Sequence, residues 1–511
     1  MISKVNSCSL FGIDGYIVTV EVDMVTGLPA MDIVGLPDTA VRESRERVKV
    51  ALKNCGYTIP AKKILINLAP ANTKKEGPSF DLPISIALLL SSGQISCDDI
   101  DNYFFVGELA LDGGIRRVNG VLPMVMEARK NGIKNIIVPK ENAYEAAVVA
   151  DVDVFPAENI TEVIAHISGN NKIAKKIVDI DELFKTTSVY SDDFSDVRGQ
   201  DGAKRALEVA AAGAHNVLMI GAPGSGKTML AKRIPTILPD LTFEEALEVT
   251  KIYSIAGKLP SDAPLITTRP FRSPHHTISP VSITSGGSVP KPGEICLAHR
   301  GVLFLDEFPE FKKDTIDAMR QPLEDGSFTA SRVSGTVTYP SNAMLIASMN
   351  PCKCGYYGDP VRECTCTSGQ IQRYLGKISG PMLDRFDIHI EVPTVKYEEL
   401  SSDRKAESSA EVKKRVDTAR QIQLERFKGE KIYSNSQLST DGMEKYCYLN
   451  SECKNLLKMV FEKMGLSARA HSRIIKVART IADLAQSDNI TESHLAEAIQ
   501  YRSLDKKFWA N

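Results

Sequence analysis

Apolar and polar positions alternate over residues 16–22, with Tyr16, Val18, Val20 and Val22 on one face at period two, which predicts a half-buried strand. Val41, Val48, Leu52 and Cys55 then recur near one helical face, residues 64–68 read as a second strand, and Asp112-Gly113 marks a tight turn. This predicts a mixed α/β domain over residues 1–168. Residues 169–193 are polar and charge-mixed apart from one apolar turn at Leu183-Phe184, as expected of an interdomain linker. Residues 194–395 carry a second α/β pattern, in which the apolar runs 216–220, 301–305 and 343–347 alternate with helical stretches, and a parallel sheet is the expected result. Over residues 396–511 the periodicity is purely helical: residues 411–427, residues 456–464, the face formed by Ile474, Val477, Ile481 and Leu484, and a last helix opening after Thr491.

A chain of 511 residues is too long for one core, and 43% hydrophobic with 25% charged residues is ordinary globular composition. A formal charge of -2 favours no nucleic-acid partner on average, so any basic groove must be local. The longest apolar stretch, around residues 82–90, falls short of the roughly 20 residues that cross a bilayer. Residues 1–6 lack the basic and apolar segments of a secretory signal, so a cytoplasmic location is expected, where the ten cysteines stay reduced.

The chemistry concentrates at Gly221-Ala222-Pro223-Gly224-Ser225-Gly226-Lys227-Thr228, which follows a predicted strand and opens a predicted helix. In that setting glycines let backbone N–H groups turn inward around phosphates, Lys227 reaches the β and γ oxygens of ATP, and the Thr228 hydroxyl is a Mg²⁺ ligand. Asp306-Glu307 ends another predicted strand, at the edge where open α/β sheets bind ligands. Asp306 there can hold Mg²⁺ while Glu307 orients and deprotonates the attacking water.

These two motifs resemble the Walker A and Walker B elements of AAA+ ATPases. The resemblance implies three further roles: Asn350 at the sensor 1 position, Arg385 within residues 380–387 as an arginine finger offered to a neighbouring subunit, and Arg469 within residues 466–470 as sensor 2 of a helical lid. A finger supplied in trans implies a ring, and a homohexamer is expected.

Residues 269–279, Gly286-Gly287 and residues 290–294 are similar to the magnesium-chelatase clade, whose members carry an insert between the Walker motifs. His275 and His276 read as polar contacts of that insert, since no second ligand pair lies nearby. Residues 328–339 alternate as a β-hairpin with Ser334-Gly335 at the tip, and Arg332 beside it is either a contact for a polyanionic backbone or a solvated strand residue. Residues 76–83, 107–117 and 128–139 look like a Lon-protease-type α/β fold that precedes the motor in the chain. The arrangement resembles the YifB/ComM family of magnesium-chelatase-like ATPases, which implies action on DNA in recombination, with branch migration by a hexamer. The alternatives are a chelatase-type motor that remodels a protein partner and a Ser/Lys peptidase. The peptidase is not expected: Ser79 matches the nucleophile, but Leu122 stands where the basic lysine belongs, which leaves Ser79 as a helix N-cap.

Cys352, Cys354, Cys364 and Cys366 follow sensor 1 closely and suit a structural Zn²⁺, although the one-residue spacing in each pair is tighter than in common zinc sites. Lys413, Lys414, Arg415, Arg420 and Arg426 are interspersed with acids and read as a solvated helix face.

Overall fold

The computed structural model describes residues 2–185, 192–286, 291–332, 335–395, 406–430, 432–464 and 467–509. Its amino-terminal part is built on a seven-stranded sheet. In spatial order the strands are Ala30–Val34, Lys63–Ala69, Asp14–Val25, Ser3–Phe11, Tyr103–Phe105, Asn135–Pro139 and Asp153–Ala157. The alternation read from the sequence is real: Val18, Val20 and Val22 are all buried, and Asp14–Val25 pairs antiparallel with both neighbours. The Thr39–Asn54 helix starts at Asp38, whose carboxylate accepts from the Val41 N–H, and buries Val41, Val48, Ala51 and Leu52.

Ser79 does not cap a helix. It is buried in the short turn Pro78–Phe80, and the Asp81–Ser91 helix that follows has Phe80 at its N-cap, without a side-chain bond. The helix is entered through Gly77 at φ 84°, and its first turn is occupied by the buried Asp81 carboxylate. Arg47 grips that carboxylate at 2.8 and 3.0 Å, and the Leu109 N–H donates to it at 3.2 Å.

The second sheet has five parallel strands in the order Phe271–Arg272, Val302–Leu305, Met344–Met349, Val217–Ile220, Ile388–Glu391. The Val217–Ile220, Val302–Leu305 and Met344–Met349 strands are buried throughout, as apolar runs covered on both faces should be, with Ser348 the one polar residue among them. Ser327–Arg332 and Gly335–Pro340 form the expected hairpin, with Phe328 opposite Tyr339. Ser334 at its tip and the Arg332 side chain lie outside the described residues, as do Gly287 and Pro290 of the insert and Leu466 before Arg469.

The helices Ser409–Arg426, Ser451–Met464, Ala468–Leu484 and Glu492–Gln500 match the helical periods, and a further one, Ser503–Trp509, packs its Phe508 into the core. The solvated face expected on the first of these holds only in part, with Lys414 exposed and other bases engaged. Arg426 is mostly buried against Asp483 at 2.8 Å, and Arg415 pairs with Glu208 and Glu407. Arg420 turns inward as well, because the helix packs on the Asp201–Gly213 and Ala468–Leu484 helices, with Val412, Val416 and Ala419 buried in the shared core. No helix among the described residues is long and apolar enough to cross a membrane.

The two sheets are joined by packing as well as by chain. Val121, Leu122 and Val125 share one buried cluster with Leu241, Ala246, Val249 and Leu265, and Val178, Leu183 and Phe184 of the 169–193 stretch pack against it. Ser254 Oγ donates to the buried Glu145 carboxylate at 2.6 Å, and burial pushes that carboxyl above its usual range. Leu122→Ala is therefore expected to destabilise the protein by about 2–5 kcal/mol, the usual loss for emptying a buried leucine site. Chemical denaturation checks this, and a change below about 1 kcal/mol would contradict the packing.

Candidate active site

The Val217–Ile220 strand delivers the chain to Gly221, where an added Cβ would meet the Val392 carbonyl oxygen at 2.4 Å. Only glycine fits that approach. Gly224 and Gly226 then take φ of 78° and 87°, the left-handed region where glycine bears no penalty, and the turn opens into the Lys227–Arg233 helix. Lys227 is folded back along this loop, donating from Nζ to the Gly221 and Ala222 carbonyls at 2.7 and 2.8 Å, with Asn350 Oδ1 at 3.3 Å. Burial drives the Lys227 ammonium down to about 8, against Asp306 and Glu307, which favour its charged form.

Asp306 follows the Val302–Leu305 strand and accepts from the Thr228 hydroxyl at 2.8 Å and from the Ser348 hydroxyl. A hydroxyl and a carboxylate side by side are the hard oxygen donors that suit Mg²⁺ beside a phosphate chain. Glu307 adopts φ 52° and leaves its carboxylate exposed at the rim. His276 Nδ1 stands 3.5 Å from that carboxylate and stacks on His275 at 4.1 Å between centroids, so the insert reaches the site edge.

The structure thus gathers Lys227, Thr228, Asp306 and Asn350 at the carboxyl ends of the strands, around Gly221, Ala222, Pro223, Gly224, Ser225 and Gly226, with Glu307 at the rim. Arg385 and Arg469 are elsewhere. Asp387 immediately precedes the Ile388–Glu391 strand, its carboxylate accepts from the Asn216 N–H at 3.1 Å, and this marks the edge where the strands begin. Arg385 is tied there to Glu324, and Arg469 lies 3.7 Å from Asp384. Arg385, Arg469, Arg473 and Lys476 line a cavity of about 780 Å³ opposed by Glu324 and Asp325. Burial would raise the Asp387 carboxyl, but Arg473, His215 and the Asn216 N–H hold it well below the ordinary range.

Cys352, Cys354, Cys364 and Cys366 do converge: three of the Sγ separations are 3.3, 3.6 and 3.7 Å, and all four sulfurs lie within 4.8 Å of one another. Four thiolates at about 2.3 Å from one tetrahedral Zn²⁺ would stand about 3.8 Å apart, so the set fits that ion. The loop also leans on the phosphate loop, since a Cβ at Gly355 would come within 2.4 Å of the Pro223 ring.

Sequence reasoning missed three contributors. Gln200 donates to the Ser225 carbonyl at 2.6 Å and to Pro393 O at 3.0 Å, bracing the phosphate loop. Glu324 and Arg473 are placed by tertiary contacts alone, and nothing local in the sequence marks them; His276, read as a polar contact of the insert, makes such a contact with Glu307.

Comparison with known proteins places this architecture. The family model described as magnesium chelatase, subunit ChlI, matches residues 193–400, with companion models for subunit ChlI of Mg-chelatase at 20–142 and its C-terminal part at 406–502. The chain is 46% identical over 511 residues to the YifB protein of Escherichia coli (strain K12), spanning 99% of this chain and 98% of that protein. It is 42% identical over 506 residues to the competence protein ComM of Haemophilus influenzae, spanning 98% and 97%. To the magnesium-chelatase 38 kDa subunit of Rhodobacter capsulatus it is 25% identical over 253 residues, 46% of this chain and 62% of that protein. With identity sustained over the full length of both chains, this protein belongs to the YifB/ComM family of magnesium-chelatase-like AAA+ proteins.

Proposed function

We propose that the chain is an ATP-hydrolysing motor that works as a homohexameric ring on DNA, in the cytoplasm. The observation that carries this reading is the separation of the site into two halves. The phosphate loop, Asp306 and Glu307 sit at one edge of the parallel sheet, and Arg385 and Arg469 at the other. A chain whose cationic residues face away from its own phosphate site is completed by the next copy in a ring.

In this reading the loop amides and Lys227 hold the ATP phosphates, Asn350 helps place the lytic water, and Glu307 takes its proton. Mg²⁺, held by Thr228 and Asp306, would neutralise charge on the phosphates. Arg385 and Arg469 of the adjoining copy would stabilise the transferring phosphoryl group. In this reading the amino-terminal domain is Lon-like in fold without peptidase chemistry, because Leu122 stands where the basic lysine of a Lon-type site belongs and cannot accept a proton. The Ala468–Leu484 helix and its neighbours would form the lid. DNA is the polymer implied by the family resemblance. A chelatase-type action on a protein partner is the second reading, favoured by the likeness to the Rhodobacter subunit.

The deciding experiment is ATP hydrolysis with and without single-stranded and forked DNA at two salt concentrations. The expected result is stimulation that weakens as salt rises, since phosphate contacts release counterions, and no activity in Lys227→Ala. Hydrolysis indifferent to every DNA would leave the motor standing and put the protein partner first.

The four cysteines are proposed to hold one structural Zn²⁺ that stiffens the loop against Pro223. Metal analysis of the purified chain is expected to give one zinc per chain. A Cys354→Ser, Cys364→Ser double variant is expected to lose it and to melt several degrees lower, because metal binding to a folded site is folding energy. Full stability without zinc would remove this assignment.

A further inference from the structure

A second concentration of positive charge lies far from the phosphate loop, at the edge where the strands of the parallel sheet begin. Arg269, Arg300 and Arg420 approach from three segments: the stretch before the Phe271–Arg272 strand, the residue before Gly301, and the Ser409–Arg426 helix. With Glu245, Tyr433 and Gln437 they line a cavity of about 50 Å³.

The three guanidinium groups are not equally satisfied. Arg269 donates to the carbonyls of Pro239, Arg300 and Asp240 at 2.5, 2.7 and 3.2 Å and to Glu245 at 3.0 Å, so its fork is structural. Arg300 places Nε on Glu248 at 2.9 Å, has Glu245 at 3.8 Å, and lays its guanidinium over the Tyr433 ring at 4.4 Å. Arg420 donates from Nη1 to the Tyr433 carbonyl at 2.7 Å, and among the described residues its buried Nε has no hydrogen-bond partner and no carboxylate is paired with it. The described carboxylates that act on these cations are Glu245, Glu248, Asp240 and Asp417; Glu248 also accepts from His299 at 3.1 Å, and Asp240 and Asp417 also pair with Lys413 at 3.1 and 3.4 Å.

What the cluster leaves unmet is the Arg420 Nε–H, and a buried donor without an acceptor is costly. The cavity has the size for an anionic acceptor. A water needs roughly 10–15 Å³ of such space, so about 50 Å³ accepts a few waters or one small oxyanion and excludes a nucleotide or a nucleic-acid strand. The unpartnered Nε of Arg420 and the Arg300 guanidinium both belong to residues that line this space, and tetrahedral oxyanions accept from such groups.

We propose that this cavity is a binding site for a free tetrahedral oxyanion of the phosphate or sulfate class, held by Arg300 and Arg420. Because Arg420 belongs to the Ser409–Arg426 helix and Arg300 to the sheet edge, the bound anion fastens the carboxy-terminal helices to the core. The site is separate from the phosphate loop, and the proposal does not depend on what polymer the protein moves.

The test is equilibrium dialysis of radiolabelled sulfate against the full-length protein saturated with Mg²⁺ and a non-hydrolysable ATP analogue, so that the phosphate loop is filled. One sulfate per chain is expected, displaced by inorganic phosphate and not by further analogue, with a rise in melting temperature over chloride at equal ionic strength. Arg420→Gln and Arg300→Gln each keep a neutral donor and are expected to weaken sulfate binding about tenfold or more. If Arg420→Gln fails to fold, Arg300→Gln decides by the same measure. Absence of saturable sulfate binding, or wild-type binding in the folded variants, overturns the site. Stabilisation by Arg420→Gln with no sulfate effect identifies waters in its place and also overturns it.

Discussion

Glu307→Gln is expected to leave nucleotide binding intact and to lower turnover by about 10²–10⁴-fold, the usual contribution of a positioned general base. The expectation follows from where the two carboxylates point. Asp306 is engaged by Thr228 and Ser348 inside the loop, whereas Glu307 turns at φ 52° and stands exposed at the rim, clear of the Lys227 contacts. Glutamine preserves the shape and the contact toward His276 but cannot take a proton from water. Binding of a fluorescent ATP analogue measured beside phosphate release separates the two effects. Loss of binding together with hydrolysis would make Glu307 part of the phosphate cradle, and unchanged hydrolysis would pass the base role to another group, with His276 at 3.5 Å the first to examine.

What was legible in the sequence, and what was not, divides by the range of the interactions involved. Residues 221–228 declare themselves because a phosphate loop is local: the close approach at Gly221 and the positive φ at Gly224 and Gly226 are demands that consecutive residues must meet. The buried strands and the hairpin at 328–339 were equally readable from period and β-propensity. The Ser409–Arg426 helix shows the limit. Its bases are mixed with acids, which looks like a solvated face, yet Arg426 is held by Asp483 and Arg420 lines a cavity with Glu245, Arg269 and Arg300, each more than a hundred positions away. Charge composition cannot say which side of a helix docks. Ser79 fails for the opposite reason, since a plausible cap was displaced by a turn and by the buried Arg47 and Asp81 pair. His276, Glu324 and Arg473 acquire meaning only through partners brought by the fold. The same holds for the division of the site between two sheet edges, which neither motif states by itself.

That division yields the second large effect. Arg385→Ala is expected to lower hydrolysis by about 10³–10⁵-fold, the range in which arginine fingers act on phosphoryl transfer, while the chain still binds ATP through its own phosphate loop. Within one chain Arg385 pairs with Glu324 beside Arg469 and Arg473, and burial with the repulsion of those two arginines lowers its hold on the proton while Glu324 supports it. Displacing Glu324 when a neighbour's ATP arrives would exchange one anionic partner for another, so the guanidinium never has to be desolvated alone. Mixing makes the prediction specific. Arg385→Ala chains retain an intact phosphate loop and Lys227→Ala chains retain an intact finger, so each is inactive alone, and a mixed ring contains interfaces where a good loop meets a good finger. Hydrolysis regained on mixing the two inactive proteins is the expected result. A mixture that stays inactive although both chains co-assemble, or an Arg385→Ala protein with undiminished hydrolysis, would place the completing charge within the chain and remove the argument for a ring.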